Sequence, residues 1–246
     1  MPGERADKAV RARSFGAAAD VYERARPGYP DAAVDWLLPA GARTVLDLGA
    51  GTGKLTRSLA AKGLEVVAVE PLAEMRTNLG AAVPEVRVLD GTAEAIPLPD
   101  ASVDAITVAQ AWHWVDPERA TAEAARVLRP GGTLGLIWNR RDERVGWVKR
   151  LSEVLGSAES EVMDMDAVEM GAPFGPTETF VTDWVRPMDV DLLVEMAASR
   201  SYVITATPRR RREILDGIRV LMEKELGVET EFDFPYRTYA FKARLP

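Results

Sequence analysis

Between residues 44 and 139, short apolar runs alternate with stretches of helical spacing. The runs are T-V-L-D-L (44–48), E-V-V-A-V-E (65–70), V-R-V-L-D-G (86–91), V-D-A-I-T-V-A (103–109) and T-L-G-L-I-W-N (133–139). Between them lie K-L-T-R-S-L-A-A-K-G (54–63), a helical segment through Met75 and Leu79, and D-P-E-R-A-T-A-E-A-A-R-V-L (116–128). The last of these places Asp at an N-cap and Pro at the first helical position. Strands separated by helices have no hairpin to join them, so they line up as a parallel sheet covered on both faces.

Such a sheet binds ligands beyond the carboxyl ends of its strands, near the point where strand order reverses. The first strand runs into D-L-G-A-G-T-G-K (47–54), which has the look of a phosphate loop. A P-loop, G-x-x-x-x-G-K-[ST], would need Gly at 48 and Ser or Thr at 55, and both positions are Leu. The dinucleotide pattern G-x-G-x-x-G would need Gly at 54, which is Lys54. What remains is D-x-G-x-G-x-G after a strand, a pattern for a nucleoside ligand without a pyrophosphate. Glu70 ends the second strand about 20 residues after the first glycine, where an acidic side chain can grip both ribose hydroxyls. D-G-T-A-E (90–94) ends the third strand and Q-A-W-H-W (110–114) follows the fourth.

Composition narrows the partners. The net charge is −7 with a pI near 5.0, which argues against a large nucleic-acid footprint. The basic run P-R-R-R-R-E (208–213) opens a helical segment and reads as a solvated face. With no cysteine and a single histidine, thiolate and His-rich metal sites are excluded, and no metal is expected. No apolar run approaches the ~20 residues that span a bilayer. The N-terminus M-P-G-E-R-A-D-K lacks a signal peptide's apolar core, so the expectation is a cytoplasmic protein with no membrane partner.

Around the core, residues 1–40 read as a helical N-terminal lid with a turn at R-P-G-Y-P (26–30) and a helix from Asp31 to about Leu38. Residues 140–188 break the rhythm and read as an inserted cap, with Trp147 and Trp184 in its core. Residues 189–246 hold helical segments at 189–200 and 208–226 and a strand-like run at 236–243. The expectation is one domain over 1–246, its ligand-binding core at 41–139, as a monomer or homodimer.

V-L-D-L-G-A-G-T-G-K-L-T resembles the first motif of class I S-adenosylmethionine (SAM) dependent methyltransferases, and A-V-E-P resembles their acidic ribose-binding position. G-T-A-E-A-I-P-L-P-D-A-S-V-D-A-I resembles their third and fourth strand motifs, and R-V-L-R-P-G-G-T-L the turn before the fifth. The resemblance covers roughly residues 40–139, and R-P-G-Y-P and A-W-H-W are similar to a small-molecule subgroup that includes trans-aconitate methyltransferase relatives. It implies a Rossmann-like α/β fold: a seven-stranded, mostly parallel sheet whose last strand is antiparallel, with helices on both faces.

The resemblance also implies roles. Gly49, Ala50, Gly51 and Gly53 would line the methionyl part of SAM, with Asp47 near its ammonium group. Glu70, followed by Pro71, would hold the ribose diol; Met75 would pack on the adenine and Ala93 would offer it a backbone N–H. Many relatives carry Asp before that alanine, whereas this chain has Thr92, so Glu94 or Asp90 would substitute or the contact would be weaker. Gln110 and Ala111 would lie beside the methionyl chain.

His113, flanked by Trp112 and Trp114, reads either as a packed residue of an aromatic loop or as a general base facing the acceptor. Imidazole is the one side chain here with a near-neutral intrinsic pKa. Tyr22 and Tyr29 could close over the cofactor or simply pack the N-terminal helix, and Trp138 and Asn139 could line the acceptor pocket with Trp112. The function expected is methyl transfer from SAM to a small-molecule acceptor, leaving S-adenosylhomocysteine. A SAM-binding sensor without turnover is the alternative from another class. An NAD(P)-dependent oxidoreductase is disfavoured by Lys54, and a nucleic-acid or protein methyltransferase by the acidic balance.

Overall fold

The apolar runs become strands, and the interruptions between them become helices. In a computed structural model of the chain, residues 26–156, 165, 168–227 and 231–246 are described; Tyr22 lies outside them. The elements in chain order are α1 (Asp31–Leu37), β1 (Thr44–Leu48), α2 (Lys54–Ala60), β2 (Glu65–Val69), α3 (Ala73–Ala82), β3 (Arg87–Leu89) and β4 (Val103–Ala109). After a 3₁₀ turn (Trp112–Trp114) come α4 (Pro117–Val127), β5 (Leu128–Arg141), α5 (Gly146–Leu155), β6 (Glu178–Asp189), α6 (Val190–Ala198), α7 (Ser201–Ile204), α8 (Pro208–Leu226) and β7 (Glu231–Arg244).

Among the described residues the strands form one seven-stranded sheet of order β3-β2-β1-β4-β5-β7-β6. β1 pairs in parallel with β2 (Leu46 across from Val67) and with β4 (Leu46 across from Ile106). β4 and β5 are parallel as well. The last strand reverses: Gly131 N donates to Leu245 O while Asp142 N donates to Pro235 O, so β7 runs antiparallel to β5. The chain builds outward from β1 to β3, then returns to lay β4 on the other side of β1. That reversal opens a crevice at the carboxyl ends of β1 and β4.

Residues 45–48 of β1 and 66–69 of β2 are all buried, as strands covered on both faces require. α1 covers one face through Ala33, Val34 and Leu37, which pack with Leu55 and Leu59 of α2 and with Val45, Ala105 and Ile137 of the sheet. Asp31 does not cap α1; Pro30 occupies the N-cap and Asp31 begins the helix. Asp116 does cap α4, accepting from Arg119 N, with Pro117 at the first helical position. Leu128 pairs with Val103 and Thr133 with Ala105, so the R-P-G-G turn loops out of the ladder within β5.

The described residues fall into two compact units. One lies within Gly28–Asn139, Met163–Thr182 and Thr238–Pro246 and holds β1 to β4 and their helices. The other lies within Met1–Pro27, Arg140–Val162 and Asp183–Arg237 and has its own core, including Leu151, Leu193, Met196, Ile218, Met222, Phe234 and Tyr236. Trp147 and Trp184 pack against that second core. It draws on α5 and also on α6, α8 and β7, so it is wider than the 140–188 stretch alone.

Candidate active site

Gly49, Gly51 and Gly53 all have positive φ (69°, 58° and 90°), which turns the chain sharply from β1 into α2. A Cβ on Gly49 would lie 3.0 Å from Ala111 Cβ, so glycine there lets the two loops close together. The loop's amides are consumed within the fold. Gly49 N and Ala50 N both donate to Val69 O (2.8 and 3.1 Å), Gly53 N donates to Ala50 O (2.9 Å), and Gly51 N donates to Glu70 Oε2 (3.0 Å). A phosphate nest needs such amides turned outward.

Glu70 is a brace as well as a candidate ligand. Its Oε1 accepts from Leu72 N (2.9 Å), so one carboxylate ties the end of β2 to the glycine loop and to the entry of α3. It is 6% exposed. Burial raises its pKa, against the lowering by the Leu72 and Gly51 amides and the Arg76 charge. A carboxylate offers about four lone-pair sites, so two amides leave capacity for a bound diol.

Asp47 is fully buried near the end of β1. Thr56 Oγ1 donates to its Oδ2 at 2.6 Å, whereas its Oδ1 is buried without a hydrogen-bond partner among the described residues. Burial pushes its pKa up to about 7; the Thr56 bond opposes the shift and the Glu70 charge adds to it. A buried carboxylate oxygen left open is costly in a folded protein, and it calls for a donor or a cation.

Pro71 is exposed, and Met75 is 4% exposed in the first turn of α3. Thr92 is exposed, bridges to Ala95 and precedes buried Ala93. The two acids considered in place of an aspartate at 92 are both engaged. Glu94 Oε1 accepts from Asp116 N (2.8 Å), and Asp90 takes a two-pronged bond from Arg76 (3.0 and 3.1 Å). Glu94 thus fixes the start of α4.

Beyond β4, Gln110 holds φ +57°, a left-handed backbone that a glutamine adopts at a cost of roughly 1–2 kcal/mol. Its N donates to Ile137 O (2.9 Å) and its Nε2 to Asn139 O (3.2 Å), which hold it there. Ala111 is half-buried and meets the glycine loop. Trp112 is 4% exposed, while His113 is half-buried with its ring 4.7 Å from that of Trp114.

Two residues expected to line an acceptor pocket are engaged within the fold. Asn139 Nδ2 donates to Gly28 O (2.7 Å) and its Oδ1 accepts from Thr238 Oγ1 (2.6 Å), so the amide staples the N-terminal turn to β7. Trp138 is 1% exposed and edge-on to Phe241, so it offers no open surface. Tyr29 is half-buried and packs against the core that holds α1.

Thr56, Arg76 and Gly91 were not picked out from the sequence. Arg76 Nη1 donates to Glu70 O (2.8 Å) besides pairing Asp90. A Cβ on Gly91 would lie 2.6 Å from Pro97 Cδ. Thr56 sits one helical turn past the glycines, and Arg76 six residues past Glu70, in the first turn of α3. Those spacings are the signal that finds them.

Comparison with known proteins identifies the family. Residues 46–136 match the family model described as a methyltransferase domain. The chain is 51% identical over 234 residues to an uncharacterized methyltransferase of Mycobacterium tuberculosis, covering 94% of this chain and 96% of that one. It is 45% identical over 235 residues to a methyltransferase-like protein of Schizosaccharomyces pombe, covering 90% and 91%. Among solved structures, a protein of Anaeromyxobacter dehalogenans assigned to the type II methyltransferases superposes with TM-score 0.69 at 28% identity, covering 90% and 99%.

Proposed function

The chain belongs to the class I SAM-dependent methyltransferases, and from that premise we propose that it moves the SAM methyl group onto a small-molecule acceptor. The supporting observation is the open Oδ1 of Asp47. At the strand end where a phosphate-binding loop would present amide donors, this loop spends those of Gly49, Ala50, Gly51 and Gly53 internally, and a buried acceptor is left waiting. The ligand it suits is cationic at that end, as the ammonium of a methionyl group is.

In this reading Asp47 takes the ammonium through Oδ1 while Thr56 holds Oδ2. Glu70 takes the ribose hydroxyls with the lone pairs that Gly51 and Leu72 leave, and Arg76 steadies its backbone. Gly49 and Ala111 set how closely the two loops approach. When bound, SAM supplies an already activated sulfonium methyl. The protein therefore has mainly to orient the partners and keep water away. Gln110, pinned in its left-handed conformation, fixes the loop that carries Trp112 and His113. His113 takes a proton from an alcohol, phenol or amine acceptor; a carboxylate acceptor would need no base.

Calorimetric titration tests the cofactor. S-adenosylhomocysteine should bind in the micromolar range and NAD or ATP far more weakly; NAD binding as tight would sink the assignment. Turnover to S-adenosylhomocysteine across a metabolite panel then identifies the acceptor.

A further inference from the structure

Among the described residues β6 is an edge of the sheet, and the direction of its backbone groups follows from its contacts. Trp184 stacks on Tyr236 with ring centroids 5.0 Å apart, Asp183 meets Arg237 at 3.6 Å and Glu178 meets Lys242 at 4.0 Å. All three contacts belong to one register, in which β6 runs antiparallel to β7 with Trp184 opposite Tyr236. On the other side of β7, Asp142 N donates to Pro235 O and Leu245 N to Gly132 O. Odd-numbered residues of β7 thus turn their backbone groups to β5, and Tyr236 turns its own to β6. Even-numbered residues of β6 bond to β7 in return. Thr179, Val181, Asp183 and Val185 aim their N–H and C=O groups outward, where no strand lies among the described residues. Pro187 belongs to the same outward set, where its missing N–H takes nothing from the ladder.

A long open edge is a template for another strand, and folded proteins blunt such edges with lysine, proline, bulges or brevity. β6 runs for 12 residues, carries no lysine and has its one proline near its end. Two of the three large apolar side chains exposed among the described residues lie on it, Val181 (37%) and Val185 (52%). Both project from one face, with Asp183 between them held by Arg144 at 2.6 Å. The stretch E-T-F-V-T-D-W-V-R (178–186) complements itself when a second copy is laid antiparallel about Thr182. That register sets Thr182 against Thr182, Phe180 against Trp184 and Glu178 against Arg186 of the other copy. Threonine pairs, aromatic pairs and opposite charges are the cross-strand combinations that stabilise a sheet. Phe180 and Trp184 keep their stacking on Trp36 and Tyr236, which lie on the inner side of the strand. A guanidinium carries several donors, so Arg186 can meet Glu178 and keep its contacts within its own chain.

Neighbouring registers do worse. Centring on Asp183 would oppose two carboxylates, and centring on Val181 would set Trp184 against Glu178. About Thr182, Val181 lies diagonal to Val185 of the other copy, so the two exposed valines cover each other. We propose that two copies of this chain associate edge to edge through β6, antiparallel about Thr182, and continue the sheet across a two-fold axis. The proposal goes beyond methyl transfer and does not depend on it.

The chain has no cysteine, which makes a register-specific cross-link the sharpest test. At the axis the two copies of Thr182 form a non-hydrogen-bonded pair with Cα atoms about 4.5 Å apart, within disulfide reach. Thr182→Cys in the full chain should cross-link to a dimer under mild oxidation. Thr179→Cys, which faces Val185 of the other copy, should not. Sedimentation of the parent over a concentration series should show a monomer–dimer equilibrium. Val181→Lys should weaken it at least roughly tenfold, because the two-fold axis counts each substitution twice. Val185→Pro should do the same, since its N–H points outward and the β6–β7 ladder loses no bond. Val181→Lys stays informative if the proline variant melts early. A parent that stays monomeric, whatever other strand its edge accepts, would overturn the interface. So would a dimer that Val181→Lys leaves unchanged, or cross-linking at residue 179 in place of 182. S-adenosylhomocysteine titrated into the same samples reports on the methyltransferase reading separately.

Discussion

Asp47→Asn is the substitution that separates the two roles argued for this carboxylate. The side chain is 0% exposed and its pKa is pushed up to about 7 from 3.8. Between those values the folded chain keeps a proton that the unfolded chain has lost, so ligand-free stability falls as pH rises from about 4 to about 7 and levels off above. At about 1.4 kcal/mol per unit, three units set an upper bound of roughly 4 kcal/mol, and Glu70, raised by the same burial, adds to the slope. Ligand binding runs the other way, because an ammonium needs the ionised form. With a pKa near 7 the ionised fraction grows roughly tenfold from pH 6 to pH 8, and affinity for S-adenosylhomocysteine should grow with it. Asparagine cannot ionise yet can still accept from Thr56. Asp47→Asn should therefore be more stable than the parent above pH 7 without ligand, by up to a few kcal/mol. It should also bind S-adenosylhomocysteine at least roughly tenfold more weakly at pH 8, with no pH step. Melting curves and calorimetry across pH 5–8 read both effects. If the parent's affinity is flat from pH 6 to pH 8 and the variant matches it, the carboxylate does not meet the ligand's ammonium.

Glu70→Ala strands the Gly51 and Leu72 amides, so it should cost about 1–3 kcal/mol of ligand-free stability and weaken S-adenosylhomocysteine at least roughly tenfold. A melting curve and a titration that both match the parent would remove Glu70 from the site. Gly49→Ala should lose about 1–3 kcal/mol and most cofactor affinity, since its Cβ meets Ala111 at positive φ. Gly63→Ala, with φ +75° and nothing within 4 Å, should pay the backbone strain alone and bind the cofactor normally. His113→Ala should slow turnover by roughly 10²–10⁴ with cofactor affinity nearly unchanged if the acceptor must lose a proton. An unchanged rate on an acceptor with an ionisable hydroxyl or amine returns His113 to a packing role.

The fold was legible where one interaction decided the outcome. Strands covered on both faces are mostly apolar rather than alternating, and the runs at 44–48 and 103–109 became β1 and β4 with those bounds. Asp116 and Pro117 marked the start of α4 because cap chemistry is local. β6 was hidden within the stretch read as a cap. Along Glu178–Asp189 exposed residues alternate with half-buried ones up to buried Met188, Val185 is 52% exposed, and Pro187 is tolerable because β6 is the edge strand. Edge position depends on which strands lie alongside, and the local sequence does not record it.

The candidate-site residues were legible as strand-end residues and less so in what each one bonds, for a reason the strand ends make plain. Every polar residue at the carboxyl end of a parallel sheet is a ligand candidate by location, but the same residues must also satisfy the backbone of the loops that begin there. Glu94, Asp90 and Asn139 go entirely to that second task in their observed bonds, bracing α4, Arg76 and the Gly28 turn. Glu70 gives one oxygen to each of two loops and keeps further lone pairs. Asp47 keeps a whole buried oxygen in hand, because the Thr56 hydroxyl reaches just one of the two. A sequence gives the inventory of donors and acceptors; which acceptor remains after the loops are closed is a property of the fold. Here the remainder is one buried carboxylate oxygen, which suits a hydrogen-bond donor or a cation at the end of β1.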